Sequence, residues 1–150
     1  MTPPALSALY RAAFPDARPW SPEEFAEMLA RPETVLVKAK QGFAPGFALG
    51  FALGRVVADE AELITLAVHP GARRRGLGRW LLAAFEARAG ARGARRAFLE
   101  VAADNGPAVA LYLQAGWRES GRRKGYYPRR DQPAVDALTL QKPLQIAPHG

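Results

Sequence analysis

One segment limits the architecture more than any other. An apolar strand pattern, Ala61-Glu62-Leu63-Ile64-Thr65-Leu66-Ala67-Val68, runs into His69-Pro70-Gly71 and then Arg73-Arg74-Arg75-Gly76-Leu77-Gly78. Behind it Leu77, Trp80, Leu81, Ala84 and Phe85 recur at helical spacing, predicting a helix to about Gly90 with these residues on its buried stripe. A strand that passes through such a loop into a helix sets unsatisfied backbone N–H groups and the positive end of a helix dipole beside cationic side chains. That combination favours phosphate, and Gly76 and Gly78 let the backbone approach closely. Two familiar phosphate loops are excluded by residue identity. Gly71 and Gly76 have Walker spacing, but Leu77-Gly78 stands where Lys-Ser/Thr is required, and a dinucleotide loop starting at Gly76 would need glycine where Leu81 stands.

The flanking sequence fits an α/β or α+β domain built around this strand–loop–helix unit. Leu6, Leu9, Tyr10 and Ala13 predict a helix over 5–14. Ser21-Pro22-Glu23-Glu24 has the N-cap, proline and N3 glutamate of a capping box, opening a second helix with Phe25, Met28 and Leu29 inward. Thr34 starts a β-rich stretch, and from Gly42 a Gly-Phe-Ala pattern repeats until Arg55. Pro45-Gly46 reads as a turn, followed by a strand from Phe47 to Val57. Its large residues, Phe47, Leu49, Phe51 and Leu53, alternate with Ala48, Gly50 and Ala52. The small face suits a closely packed helix, or alternatively leaves room for a substrate chain. After a turn at Ala58-Asp59-Glu60 and the central unit come a strand over 97–102 and a helix over 107–115, stopped by Gly116. Two strands around a basic Tyr-Pro-containing loop at 122–133 complete the expected order, with a short irregular tail at 144–150. A single domain over 1–150 is expected.

Composition narrows the chemistry. The chain has no cysteine, which excludes a disulfide framework, a thiol nucleophile and an acyl-cysteine intermediate, and with two histidines it offers no expectation of a metal site. No apolar run is long enough to span a membrane, and Met1-Thr2-Pro3-Pro4 lacks the start of a signal peptide, so a cytoplasmic protein is expected. The net charge of +7 is uneven. Residues 1–70 carry six basic and eight acidic side chains, whereas residues 71–150 carry fifteen and six. Of the 21 cations 17 are arginine, whose planar fork suits phosphate and carboxylate. An anionic partner follows: nucleic acid, a phosphorylated cofactor or an acidic surface.

Two further residues stand out. Phe98-Leu99-Glu100-Val101 sets one carboxylate inside an apolar strand, where burial raises its pKa toward general-base range unless an arginine pairs with it at an edge. Asn105 can cap the helix that carries Tyr112. Alone, Tyr112 reads as a core aromatic.

Taken together, these residues resemble the GNAT superfamily of N-acetyltransferases. The pattern is Val68, then Arg73-x-x-Gly76-x-Gly78, a strand, Asn105-x-x-Ala108-x-x-Leu111-Tyr112, and Gly116 with an aromatic. The likeness extends to the RimI-type branch, which acetylates the N-terminal alanine of a ribosomal protein. It is carried by Pro19-Trp20-Ser21, Asp59-Glu60-Ala61, Leu66-Ala67-Val68-x-Pro70, Gly76-Leu77-Gly78-Arg79-x-Leu81-Leu82, Leu99-Glu100-Val101, Arg122-Arg123-x-x-Tyr126-Tyr127-Pro128 and Asp136-Ala137. It covers residues 18–145.

The resemblance implies a mixed, mostly antiparallel sheet of about six or seven strands, splayed at a β-bulge in Leu66-Ala67-Val68 and flanked by about four helices. It implies acetyl-CoA as cosubstrate, with no metal. Leu66, Ala67 and Val68 would pair with its arm, and Arg73, Arg74, Arg75, Gly76, Leu77, Gly78 and Arg79 would cradle its pyrophosphate. Asn105 would contact the arm. Glu100 matches the family's general base and Tyr112 its general acid, while Tyr126 and Tyr127 would help form a slot for the acceptor. The expected activity is direct transfer in a ternary complex to a protein N-terminal amine, such as that of a ribosomal protein. Acetylation of a free small amine or a lysine side chain is the alternative within the class. A non-catalytic RNA- or ribosome-associated module is the alternative outside it, given Arg118, Arg122, Arg123, Lys124, Arg129 and Arg130 beside two tyrosines. Nucleic acid is not expected as the direct substrate, and a monomer or homodimer is expected. Three features depart from the family pattern: Gly116-Trp117 in place of Gly-Phe, Asp104 before Asn105, and the 42–53 repeat.

Overall fold

The computed structural model describes residues 1–40 and 48–145. In chain order the elements are α1 (Pro3–Ala13), α2 (Pro22–Leu29), β1 (Thr34–Lys40), β2 (Ala48–Val57), β3 (Glu60–Val68), a short 3-10 turn (Pro70–Ala72), α3 (Leu77–Ala91), β4 (Arg96–Ala102), α4 (Gly106–Gln114), β5 (Arg118–Arg129) and β6 (Gln132–Pro143). The strands form one six-stranded sheet in the order β1-β2-β3-β4-β6-β5. Neighbours are antiparallel except β3 and β4, which run parallel. The Pro45-Gly46 turn and the first part of the Gly-Phe-Ala repeat lie outside the described residues.

Helix starts follow their cap chemistry. Ser21 accepts from Glu24 N–H and Glu24 reaches back to Ser21 N–H, the reciprocal box its sequence predicts. Helix α1 begins two residues before its apolar pattern, because Thr2 caps it and Pro3-Pro4 suit a first turn that needs no N–H partner. Trp20 stacks on Tyr10 at 4.8 Å, and Ser7 donates to the Trp20 carbonyl at 2.6 Å, which joins α1 to the start of α2.

Two apolar clusters sandwich the sheet. Leu6, Leu9, Tyr10 and Phe25 of α1 and α2 pack on Phe51, Leu53 and Ala67. On the other face, Leu81, Leu82 and Phe85 of α3 and Tyr112 of α4 pack over Leu63, Leu99, Val101, Leu138 and Leu140. The small face of β2 lies under α3. A Cβ on Gly50 would meet Leu81 Cδ1 at 2.9 Å, and one on Gly54 would meet the Phe85 ring at 2.5 Å. Close helix packing explains the small residues at these positions, and the alternative of substrate room there is ruled out.

Strand β3 carries the irregularity that shapes the site. Leu53 pairs with Thr65 but Gly54 pairs with Leu63, so Ile64 is the extra residue of a bulge. The expected place was Leu66-Ala67-Val68, so the bulge lies earlier than the resemblance implies. Its effect is a change of parity: Ala61 and Leu63 face the α3 cluster before it, and Leu66 and Val68 after it. Parallel pairing of β3 with β4 runs only from Glu60–Arg96 to Glu62–Phe98. Beyond that, among the described residues, the two strands diverge while β4 stays paired with β6 as far as Ala102.

Two other expectations need correction. Trp80, placed by periodicity on the buried stripe of α3, is 53% exposed, while Leu82 and Ala89 are buried instead. The loop predicted at 122–133 is strand: β5 continues through Tyr126-Tyr127-Pro128 to Arg129 and turns only at Arg130-Asp131. Proline is tolerated there because β5 is the sheet edge.

Candidate active site

The divergence of β3 from β4 opens toward the start of α3. The chain leaves β3 at His69, whose Nδ1 accepts from Gly71 N–H at 3.0 Å, and reaches α3 through Arg74 (φ 65°) and Gly76 (φ 77°). Both are left-handed, and a Cβ on Gly76 would meet nothing within 4 Å. Glycine at 76 therefore serves backbone conformation, not packing. Gly76 is the N-cap of α3 and makes no side-chain cap bond, so the cap residue answers none of the first-turn N–H groups. Gly78 sits closer, with Leu111 Cδ2 3.4 Å and Leu66 Cδ2 3.8 Å from a Cβ placed there.

The arginines of this loop divide. Arg74 and Arg75 are exposed. Arg73 instead donates to the carbonyl of Ala13 at 2.8 Å, closing the last turn of α1, and Arg79 donates to Gln114 Oε1 at 3.1 Å, bridging α3 to α4. Leu66, Ala67 and Val68 line the part of β3 that has parted from β4, and Leu77 is half-buried at the base of the loop. Asn105 caps α4 by accepting from Ala108 N–H at 3.4 Å, as its sequence predicts.

Glu100 and Tyr112 approach the divergence from opposite faces of the sheet. Ala97, Leu99 and Val101 of β4 point to the α3–α4 core, so Glu100 points to the other face. The carboxylate is not fully buried: the Glu100 side chain is 30% exposed, and its Oε2 lies 3.5 Å from Arg123 Nε. It is the edge-type contact with an arginine that the sequence left open. The phenol of Tyr112 is buried, 6.0 Å between centroids from the Trp117 ring, and burial pushes its pKa up to about 12. It therefore stays protonated at neutral pH.

Tyr126 and Tyr127 lie near the end of β5, their rings perpendicular at 5.2 Å. Arg123 covers Tyr126 at 5.1 Å and Arg129 covers Tyr127 at 5.8 Å. Burial, and next the nearby Glu100 carboxylate, hold the Tyr127 phenol above its usual range. A cleft of 910 Å³ lies alongside, between Phe14–Ala17 after α1, Ala102, Asp104 and Asn105 after β4, and Pro128–Arg130. A second cavity of 390 Å³, at Glu86, Lys142 and Gln145 behind α3, holds none of the expected site residues.

Sequence reasoning missed the contacts that support this site. Trp117 is fully buried, and its indole N–H is answered by Glu86 Oε2 at 3.2 Å. Lys142 completes that pair, bonding Glu86 Oε1 and the Ala115 carbonyl at 2.6 Å each. The indole in place of phenylalanine is thereby explained: it has a partner that phenylalanine would not need. Asp104, a departure that put a negative charge near the cofactor path, is held by both arms of Arg129 at 2.8 and 2.9 Å.

The sequence comparisons give this fold and its strand–loop–helix unit a family. The profile of the acetyltransferase (GNAT) family matches residues 4–117, and the chain belongs to that family. It is 42% identical over 92 residues to the [ribosomal protein bS18]-alanine N-acetyltransferase of Salmonella typhimurium, an alignment that spans 61% of this chain and 62% of that relative. It is 40% identical over 125 residues to the N-alpha-acetyltransferase RimI of Mycobacterium tuberculosis, covering 83% of this chain and 75% of the relative. The crystal structure of the ribosomal-protein-S18-alanine N-acetyltransferase from Escherichia coli superposes with a TM-score of 0.84 at 35% identity, over 98% of this chain and 90% of that one.

Proposed function

We propose that this protein transfers the acetyl group of acetyl-CoA to the N-terminal amine of a protein, with an alanine terminus on a ribosomal protein as the leading acceptor. The observation that carries this reading is the opening between β3 and β4 beside the uncapped start of α3. An extended chain segment with amide groups can pair with the unpartnered edge of Leu66-Ala67-Val68 while its phosphates meet the α3 N–H groups. The polarity of the loop fits the cosubstrate: Gly76, Leu77, Gly78 and Arg79 supply backbone donors, and Arg74 and Arg75 supply charge. When bound, acetyl-CoA supplies the activated thioester.

The chain's own residues then have the following roles. An N-terminal amine has a pKa near 8 and arrives mostly as ammonium. Its cation takes the place of the Arg123 guanidinium at Glu100, and Glu100, directly or through water, accepts a proton so that the free amine can attack. The Val68 N–H polarises the thioester carbonyl, and Tyr112 returns a proton to the departing thiolate. The Tyr112 phenol carries its proton at neutral pH, and its raised pKa means that donation is driven by the poor solvation of the thiolate it meets. Tyr126 and Tyr127 wall the acceptor slot, and the adjoining cleft takes the residues that follow the acceptor's first. A ribosomal acceptor would place the reaction in the cytoplasm. Among the described residues, no helix is long and apolar enough to cross a membrane.

An acceptor screen with labelled acetyl-CoA tests the proposal. Peptides beginning Ala-Arg, Ser and Met are compared with amino acids, amino sugars and polyamines. Preference for the alanine peptide is expected, and preference for a small free amine would overturn the protein-acceptor reading.

A further inference from the structure

We propose that the Asp104–Arg129 ion pair is a positioning latch for the acceptor slot, fastening the β5–β6 hairpin that carries Tyr126 and Tyr127 to the loop that starts α4. The proposal rests on the acetyl-transfer reading above and assigns residues to the acceptor side of the site. Three observations support it.

The first is geometric. Arg129 Nε and Nη2 each engage a different oxygen of Asp104, at 2.9 and 2.8 Å, a bidentate arrangement that fixes direction as well as distance. The same guanidinium lies over the Tyr127 ring. Arg129 therefore holds Tyr127 with its face and Asp104 with its edge.

The second is that backbone pairing holds Tyr127 by an isolated rung. Strand β5 is the sheet edge, and although Tyr127 pairs with Val135 of β6, the register slips between Arg123 and Tyr127 and again between Tyr127 and Arg129. A rung interrupted on both sides fixes its residue less firmly than a continuous ladder, which gives side-chain contacts a larger part in placing it. Ties that cross from the hairpin nearby include Ala103 N–H to the Asp136 carbonyl at 2.8 Å and Arg123 to Glu100 at 3.5 Å.

The third is location. Asp104 immediately precedes Asn105, the N-cap of the helix bearing Tyr112, and both members of the pair line the 910 Å³ cleft beside Glu100's strand. The latch thus joins the wall that would contact the acceptor to the element that carries the proposed acid. An exposed pair of this kind adds little to folding stability, so opening it should alter the slot without unfolding the protein.

The test is steady-state kinetics with an alanine-terminated peptide on Asp104→Asn, Arg129→Gln and the double variant Asp104→Asn/Arg129→Gln, with melting temperatures measured alongside. Each single variant is expected to raise the peptide KM about three- to tenfold, with kcat changed less than about twofold and the acetyl-CoA KM unmoved. The double variant is expected to raise the peptide KM no further than the larger single effect, because the two residues act as one contact. Unchanged peptide KM in both single variants, a parallel rise in acetyl-CoA KM, or fully additive effects in the double variant would each overturn the latch. Failure of the unmutated protein to acetylate any peptide terminus would instead overturn the acceptor reading on which it rests.

Discussion

Glu100 and Tyr112 show how two side chains assigned to one proposed site can be set by opposite environments. Alternation along β4 turns Glu100 away from the core that buries Leu99 and Val101, so its carboxylate meets water and Arg123. Tyr112 is enclosed, and burial holds its proton. Glu100→Gln and Tyr112→Phe are each expected to lower kcat by about tenfold or more, with acetyl-CoA affinity little changed, as read by initial rates and calorimetry. Arg123→Gln removes the cation that competes with the acceptor ammonium. An exposed pair contributes up to about 1 kcal/mol, so the peptide KM should fall about two- to fivefold, most clearly at low salt. The Tyr112 phenol also has a signature in stability. Its pKa is raised in the folded state, so its contribution is complete below the ordinary value of about 10 and is lost as pH rises toward 12. Relative to Tyr112→Phe, the unmutated protein should lose about 3 kcal/mol across that window, measured by urea unfolding at successive pH values. Both residues were legible as an unusual acid in a strand and a tyrosine behind a cap. The burial of Tyr112 was legible too, but the exposure of Glu100 was not, because a one-residue alternation decides it and an apolar run conceals which parity faces the core.

Among the elements, β2 and α3 are matched surfaces. Alanine at Gly50 would press on Leu81 Cδ1 at 2.9 Å and on the Ala67 carbonyl at 2.8 Å, of which only the side chain can move. Gly50→Ala is expected to cost about 1–3 kcal/mol by overpacking. Gly76→Ala meets open space, so its cost of about 1–2 kcal/mol comes from the left-handed backbone alone. The difference should show in partial rescue by asparagine at 76 and none at 50, measured by thermal melts. Elements announced by cap chemistry were legible to within two residues: Ser21 and Glu24 for α2, Asn105 for α4, the glycine loop for α3. The strand through Tyr127-Pro128 was not, because turn-forming residues on an edge strand resemble a loop until the partner strand is known. Trp80 shows the converse failure. It continues the apolar stripe of α3 yet is 53% exposed, while Leu81 beside it is fully buried.

At the scale of the molecule, the charge of +7 suggested an anionic partner, yet many cations have internal uses. In the 118–130 cluster, Arg122, Arg123 and Arg129 sit on Glu119 and Asp136, Glu100, and Asp104. Arg118 donates to the Leu113 and Trp117 carbonyls, and Arg88 of α3 and Arg92 at its C-cap clamp carbonyls at Leu36, Pro32 and Thr34. Arginine here joins elements as much as it attracts anions, a use invisible to composition because the carbonyl acceptors are known only after folding. The exposed Arg74 and Arg75 remain on the loop proposed for CoA phosphates. Any binding of a short RNA should therefore be displaced by free CoA at moderate salt, measured by fluorescence anisotropy; RNA affinity indifferent to CoA would restore the nucleic-acid reading. The bulge at Ile64 has a consequence of the same reach. Because Ile64 is the one surplus residue of β3, deleting it leaves Leu63, Leu66 and Val68 on the faces they already occupy. The shortened strand would keep its hydrophobic code and pair with β2 without a slip. A single codon thus separates a broken ladder from a regular one that buries the same side chains.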